Sequence, residues 1–161
     1  MSIFWYVLEI NPEPWKVGPV SVGRKNGKIF PMVGRDQQLY NYQMALKDEF
    51  KRIYGEVTQL DRDMKFTLTA YFWRNRAEYT TQAQREHRKH EADGTNLYKA
   101  TEDAMQGVLY KNDLNNINGN WIMMDQGPEA KSLVVLKFDT APSIISAYME
   151  FPSDVLDKAR E

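Results

Sequence analysis

Between Glu91 and Ile117 the chain reads EADGTNLYKATEDAMQGVLYKNDLNNI. Its polar residues fall at spacings that suit a divalent cation beside a phosphodiester. Asn96, Lys99, Glu102 and Asp103 recur three and four residues apart. On a helix, an amide, an ammonium and two carboxylates would therefore share one flank. Asp93 stands just before this run, and Asp113 lies ten residues beyond Asp103, past Gly107. Hard cations such as Mg²⁺ take oxygen ligands, often only one or two carboxylates, and complete their shell with water and substrate phosphate. Such an ion polarises a phosphoryl oxygen and supplies a hydroxide. A neighbouring lysine offsets the charge that develops in the transition state. The same spacing also describes an ordinary helix, with Asp93 or Thr95 as N-cap, Lys99 and Asp103 as a solvated pair, and Asp113 in a turn.

The helix itself is predicted over Thr95 to Gln106, which holds neither proline nor glycine. Leu97, Ala100, Ala104 and Val108 form its apolar stripe on a 3.6-residue period. The wording of the stretch resembles the RusA family of Holliday-junction resolvases, which are frequent in bacteriophages and prophages. That family's pattern runs Pro-Asp-x-Asp-Asn-Leu-x-Lys, then Asp-Ala-Leu, a glycine turn and Asp-Asp. Here it stands as Ala92-Asp93-Gly94-Thr95-Asn96-Leu97-Tyr98-Lys99, then Asp103-Ala104-Met105, Gly107 and Asn112-Asp113. The resemblance implies that Asp93 and Asp113 are metal carboxylates, Lys99 the catalytic lysine and Asp103 a further acid. It implies Mg²⁺, with Mn²⁺ as a substitute, as cofactor, a homodimer as the working form, and branched DNA as substrate. Thr95 replaces the family's second Asp and Asn112 the first Asp of the pair, so the site loses negative charge. Glu91 and Glu102 are the nearby acids that would compensate, and Asn96 would orient a metal water or cap the helix.

The elements around this stretch can be read from their periodicity. Ile3 to Ile10 reads as a strand ended by Asn11-Pro12-Glu13-Pro14, with Trp15 as a packing anchor. Pro19 to Met32 reads as a hairpin about Asn26-Gly27. Arg24, Lys25 and Lys28 cluster at its tip, as an ordinary charged turn or as a finger touching phosphates. Asp36 to Tyr54 is predicted helical, ended by Gly55, with Lys47, Lys51 and Arg52 on a mixed-sign outer face. Asp63 to Trp73 alternates strictly and should be a central strand burying Met64, Phe66, Leu68, Ala70 and Phe72. Asn75 to Glu91 is polar and basic without apolar period, and it reads as a mobile loop laying Arg85, Arg88 and Lys89 along the DNA backbone. His87 and His90 belong to it, a weak zinc signal. Trp121 to Met124 and Ser132 to Phe138 read as a closing hairpin, and Ser153 to Arg160 as a capped helix.

The whole is an α/β fold, α+β in the looser sense. One domain spans residues 1–140, with a mixed sheet of five to six strands and two main helices on it; 141–161 form a tail. The chain has 161 residues, a net charge of −1 and no cysteine. Thiolate metal sites and a disulfide framework are thereby excluded. The short apolar N-terminus lacks signal-peptide features, and no stretch is long enough for a membrane span. A cytoplasmic protein is expected, in the bacterial host if phage-encoded. The expected function is a metal-dependent structure-specific endodeoxyribonuclease that resolves four-way junctions by paired nicks. The alternatives are a junction-binding module weakened in catalysis by Thr95 and Asn112, and an interaction protein with no DNA partner, which would lack the salt-dependent binding that phosphate contacts impose.

Overall fold

β4 (Thr67–Asn75) is the strand on which the rest is assembled. Its alternation puts Leu68, Ala70 and Phe72 fully inside, and Phe66 just ahead of it is buried as well. Met64 lies before the strand and is exposed. β6 (Leu133–Asp139) runs antiparallel beside β4, with Phe138, Leu136 and Val134 directly opposite Leu68, Ala70 and Phe72. Two alternating strands in this register give one continuous apolar face. β1 (Ile3–Leu8) is antiparallel to β6 on the outer side, and β5 (Asn120–Gly127) is parallel to β4 on the other. The sheet is therefore mixed, in the order β1-β6-β4-β5. The computed structural model describes residues 2–142 and 152–160.

β5 and β6 do not form the closing hairpin that their adjacency in sequence suggests. β4 lies between them. The reason is in the side chains: β6 presents the alternating buried set that matches β4, whereas β5 is mostly exposed. A parallel β4–β5 pair needs a long crossover, and the segment between them supplies it, carrying α2 (Gln82–His87) and α3 (Gly94–Met105).

Two helices cover the apolar face. α1 (Gln37–Tyr54) is capped by Asp36, which accepts from the Leu39 N–H at 2.8 Å, and it ends at Gly55 with φ 71°. It buries Tyr42, Leu46 and Phe50. α3 buries Leu97, Tyr98, Ala100, Thr101, Ala104 and Met105, as its apolar stripe requires. The helices are tied by a buried hydrogen bond, 2.7 Å between the Tyr42 and Thr101 hydroxyls. The other two strands, β2 (Val20–Lys25) and β3 (Lys28–Val33), form a separate hairpin with Asn26 and Gly27 both at positive φ. A helix α4 (Ser153–Arg160) stands where the tail was expected to be helical. Residues 143–151 of that tail lie outside the described residues. Among the described residues no helix is long and apolar enough to cross a membrane.

Candidate active site

α3 and the turn after it hold the acids. Asp93 is the N-cap of α3, and its carboxylate accepts from the Thr95 N–H at 2.8 Å. Thr95 and Asn96 are exposed on the first turn. Capping therefore falls to Asp93 and not to Asn96, whose carbonyl instead accepts from the Trp15 N–H at 2.9 Å. Gly94 is buried directly under the Trp121 ring, where an added Cβ would come within 2.3 Å. This close approach seats the start of α3 on β5.

Lys99 follows one turn later. Its Nζ is 4.0 Å from Asp103 Oδ2 and 5.5 Å from the centre of the Trp15 ring. Trp15 packs partly against the core as expected, and it is also the surface over which the lysine lies. Nothing in the local sequence around Trp15 marks this second role.

Glu102, Asp103 and Asp113 sense one another at the far end of the helix. Burial raises the proton affinity of Glu102 most, against hydrogen bonds from Asn116 and Tyr98 that pull it down, and the Asp113 and Asp103 charges raise it further. Asp103 is also raised, first by burial and then by Asp113, with the Lys99 ammonium opposing. Glu102 is braced by the Asn116 amide, and the single Tyr98 hydroxyl proton is shared between Glu102 at 3.3 Å and the closer Leu68 carbonyl at 2.9 Å. Asp113 opens the 3₁₀ turn Asp113–Asn115, for which Asn112 is the cap, accepting from the Leu114 N–H at 3.0 Å. Asn caps as well as Asp does, so Asn112 serves this turn fully without carrying a charge. The Asp113 carboxylate is half-buried and, among the described residues, makes neither hydrogen bond nor ion pair.

A helix rises about 1.5 Å per residue, so Asp93 and Asp103 stand roughly 15 Å apart along α3. The two do not share one ion. Among the described residues no three His, Asp or Glu side chains converge to hold a metal. What the site offers is hard oxygen donors, an unpartnered half-buried carboxylate and neighbours that repel it. That donor set fits a cation which keeps part of its water shell and takes phosphate oxygens, as Mg²⁺ does. It does not fit zinc, for which the histidines are also misplaced: His87 is exposed and His90 stacks on Tyr79 at 5.8 Å.

The supporting cations are scattered. Arg24, Lys25 and Lys28 are exposed at the tip of the β2–β3 hairpin, whose strands pack chiefly on each other. Asn75 to Glu91 is not the structureless loop that its composition suggests. It contains α2, started by a capping box in which Thr81 and Gln84 bond reciprocally. Arg85 and Lys89 are exposed there, while Arg88 is paired with Glu91 at 2.6 Å. Glu91 is thus committed to arginine and does not replace the charge lost at Thr95; Glu102 is the acid that lies with the others.

The sequence model of the RusA endodeoxyribonuclease family matches residues 19–119. The chain belongs to this family. No curated protein matches it. The RusA match runs from the β2–β3 hairpin to just before β5 and includes every acid described above. Membership carries endodeoxyribonuclease activity on branched DNA junctions. Thr95 and Asn112 both serve as ordinary polar residues at the start of a helical turn.

Proposed function

We propose that this protein is a Mg²⁺-dependent resolvase that nicks symmetry-related strands of a four-way junction as a homodimer, with Mn²⁺ as a working substitute. Asp93, Lys99 and Asp113 are its catalytic residues. A two-fold dimer suits a four-way junction because each subunit presents one site to an equivalent strand. The observation that carries the reading is Asp113: a half-buried carboxylate with no side-chain partner among the described residues, in electrostatic range of Glu102 and Asp103. A carboxylate so placed is stabilised by a cation. The family pattern pairs it with Asp93, and the fold brings it near Asp103. Asp113 is common to both sets and is the ligand we regard as indispensable.

A divalent cation held there would supply Lewis-acid polarisation of a phosphoryl oxygen. The chain does the rest. Asp93 fixes the first turn of α3 while leaving one carboxylate oxygen outside the cap bond. Lys99, held between Asp103 and the Trp15 ring, brings positive charge to where negative charge develops on the substrate phosphate. Glu102, braced by Asn116 and Tyr98, stiffens the wall behind Asp103. Arg24, Lys25, Lys28, Arg85, Arg88 and Lys89 would meet the backbone of the arms. The reaction would proceed in the cytoplasm.

The test gives purified protein a synthetic junction and a matched linear duplex, each with Mg²⁺, Mn²⁺ or chelator. Paired nicks near the branch, on the junction only and with metal only, support the proposal. Junction binding without nicks under either metal would assign the chain to the binding module that Thr95 and Asn112 suggest.

A further inference from the structure

A polar cavity of about 380 Å³ opens between the Glu13–Lys16 turn, the end of β4 and the segment after α2. Lys16, Arg74, Arg76 and Lys89 line it against only two carboxylates, Glu13 and Glu91. Arg74 is fully engaged. Its Nε donates to the Pro12 carbonyl at 3.0 Å, Nη1 to the His90 carbonyl and Gln126 Oε1, and Nη2 reaches Glu13 at 3.4 Å.

Arg76 is not. Its side chain is 13 % exposed and lies over the Tyr79 ring at 4.4 Å. Nη1 donates to the Ala77 carbonyl at 3.2 Å, and Nη2 is 3.5 Å from Glu91, whose other oxygen is taken by Arg88. Among the described residues Nε is buried with no partner, and so is the Tyr79 hydroxyl. Unpaired buried donors are costly and rare. The one on Arg76 belongs to a guanidinium that lines a cationic cavity, and it calls for an acceptor that arrives with a ligand.

We infer that this cavity is a phosphate subsite that takes an internal, uncut phosphodiester of the DNA strand beside the scissile one. The inference rests on the nuclease reading above. Planar arginine donors suit phosphate oxygens. The location fixes which phosphate: Glu91 is two residues before Asp93, a span of at most about 7 Å of chain. On the other wall, Lys16 follows the Trp15 that underlies Lys99. The cavity thus adjoins both residues through the chain, and a strand lying across Asp93 and Lys99 would pass beside it.

The experiment measures junction affinity over a salt series in chelator for wild type, Arg76→Gln and Lys89→Gln. Each phosphate within three nucleotides of the cut is then replaced singly by a neutral methylphosphonate. Each variant should bind about three- to tenfold more weakly at low salt, with a salt slope shallower by about 1. One methylphosphonate should cost wild type a similar factor and cost Arg76→Gln nothing further. Lys89 is exposed, so its variant reports on the cavity even if Arg76→Gln folds poorly. Wild-type affinity and slope in both variants, or losses that add at every methylphosphonate, overturn the subsite. Inorganic phosphate that raises the melting temperature of wild type but not of Arg76→Gln, with junction affinity unchanged, assigns the cavity to free phosphate and overturns the DNA assignment. A wild-type protein that binds no junction overturns the nuclease reading together with the subsite, whereas junction binding uncoupled from Arg76 overturns the subsite alone.

Discussion

Asp93 does two jobs with one carboxylate, and they can be separated. Asn is as good an N-cap as Asp, so Asp93→Asn keeps the Thr95 N–H bonded while removing the charge. We predict wild-type thermal stability for this variant and a loss of junction cleavage of at least about 100-fold. A matching loss of stability would show that the residue matters only as a cap. Asp103→Asn should be milder, weakening the Mg²⁺ dependence several-fold, because Asp103 already faces the Lys99 ammonium at 4.0 Å. Glu102 gives a pH signature. Its folded pKa is raised, chiefly by burial. The native state therefore holds the proton more tightly than the unfolded chain. The stability it contributes is complete below the ordinary carboxylate range and is lost as pH rises through the folded value. In chelator, the stability of Glu102→Gln relative to wild type should be highest at neutral pH and should decline on acidification. Parallel stability–pH curves for the two proteins would remove Glu102 as the titrating group.

At the scale of elements, α3 is set by two contacts that can be broken singly. The Thr101 hydroxyl spends its proton on the Leu97 carbonyl at 2.9 Å, so Tyr42 donates to Thr101 across the α1–α3 interface. Thr101→Val leaves the Tyr42 hydroxyl buried and unbonded, a loss of about 1–3 kcal/mol in urea denaturation. Tyr42→Phe in the same background should recover most of it; no recovery would place the loss in packing and not in the hydrogen bond. Gly94→Ala drives a methyl group into Trp121 and should lower both stability and cleavage. These elements were largely legible in the sequence, because α1, α3, β4 and the Asn26-Gly27 hairpin each carry their period or turn locally. What was missed is non-local or small. The β5–β6 hairpin was expected because the strands adjoin, yet the matched buried faces of β4 and β6 decide the pairing. The Thr81…Gln84 capping box was a visible signal for α2 within a segment read as loop. The brace of Glu102 by Asn116 joins residues with no shared periodicity, so nothing in the sequence announced it.

Across the whole molecule, the site acids and the cations of the hairpin tip belong to different elements. The helices cover one face of a mixed sheet, and α3 carries the acids along its outer flank. The β2–β3 hairpin stands apart with Lys25 directly opposite Lys28 at its tip. Like charges facing one another across a hairpin are destabilising, and a polyanion relieves that repulsion. Substituting Arg24, Lys25 and Lys28 together by Gln should therefore weaken junction binding and flatten its salt dependence while leaving the melting temperature unchanged or slightly higher. An unaltered salt slope would make the tip an ordinary charged turn. A net charge of −1 does not oppose DNA binding in a molecule arranged this way, since the acids gather where a cation would neutralise them.

The most direct test of the central claim is the single-turnover cleavage rate of Asp113→Asn on a four-way junction in Mg²⁺, with junction affinity measured on the same preparation. Among the described residues the Asp113 side chain has no hydrogen bond or ion pair to lose, so the fold and the affinity should stay as in wild type while cleavage falls by at least about 100-fold. Cleavage at the wild-type rate would contradict the assignment of Asp113 to the metal and the reading of α3 and its following turn as the active site.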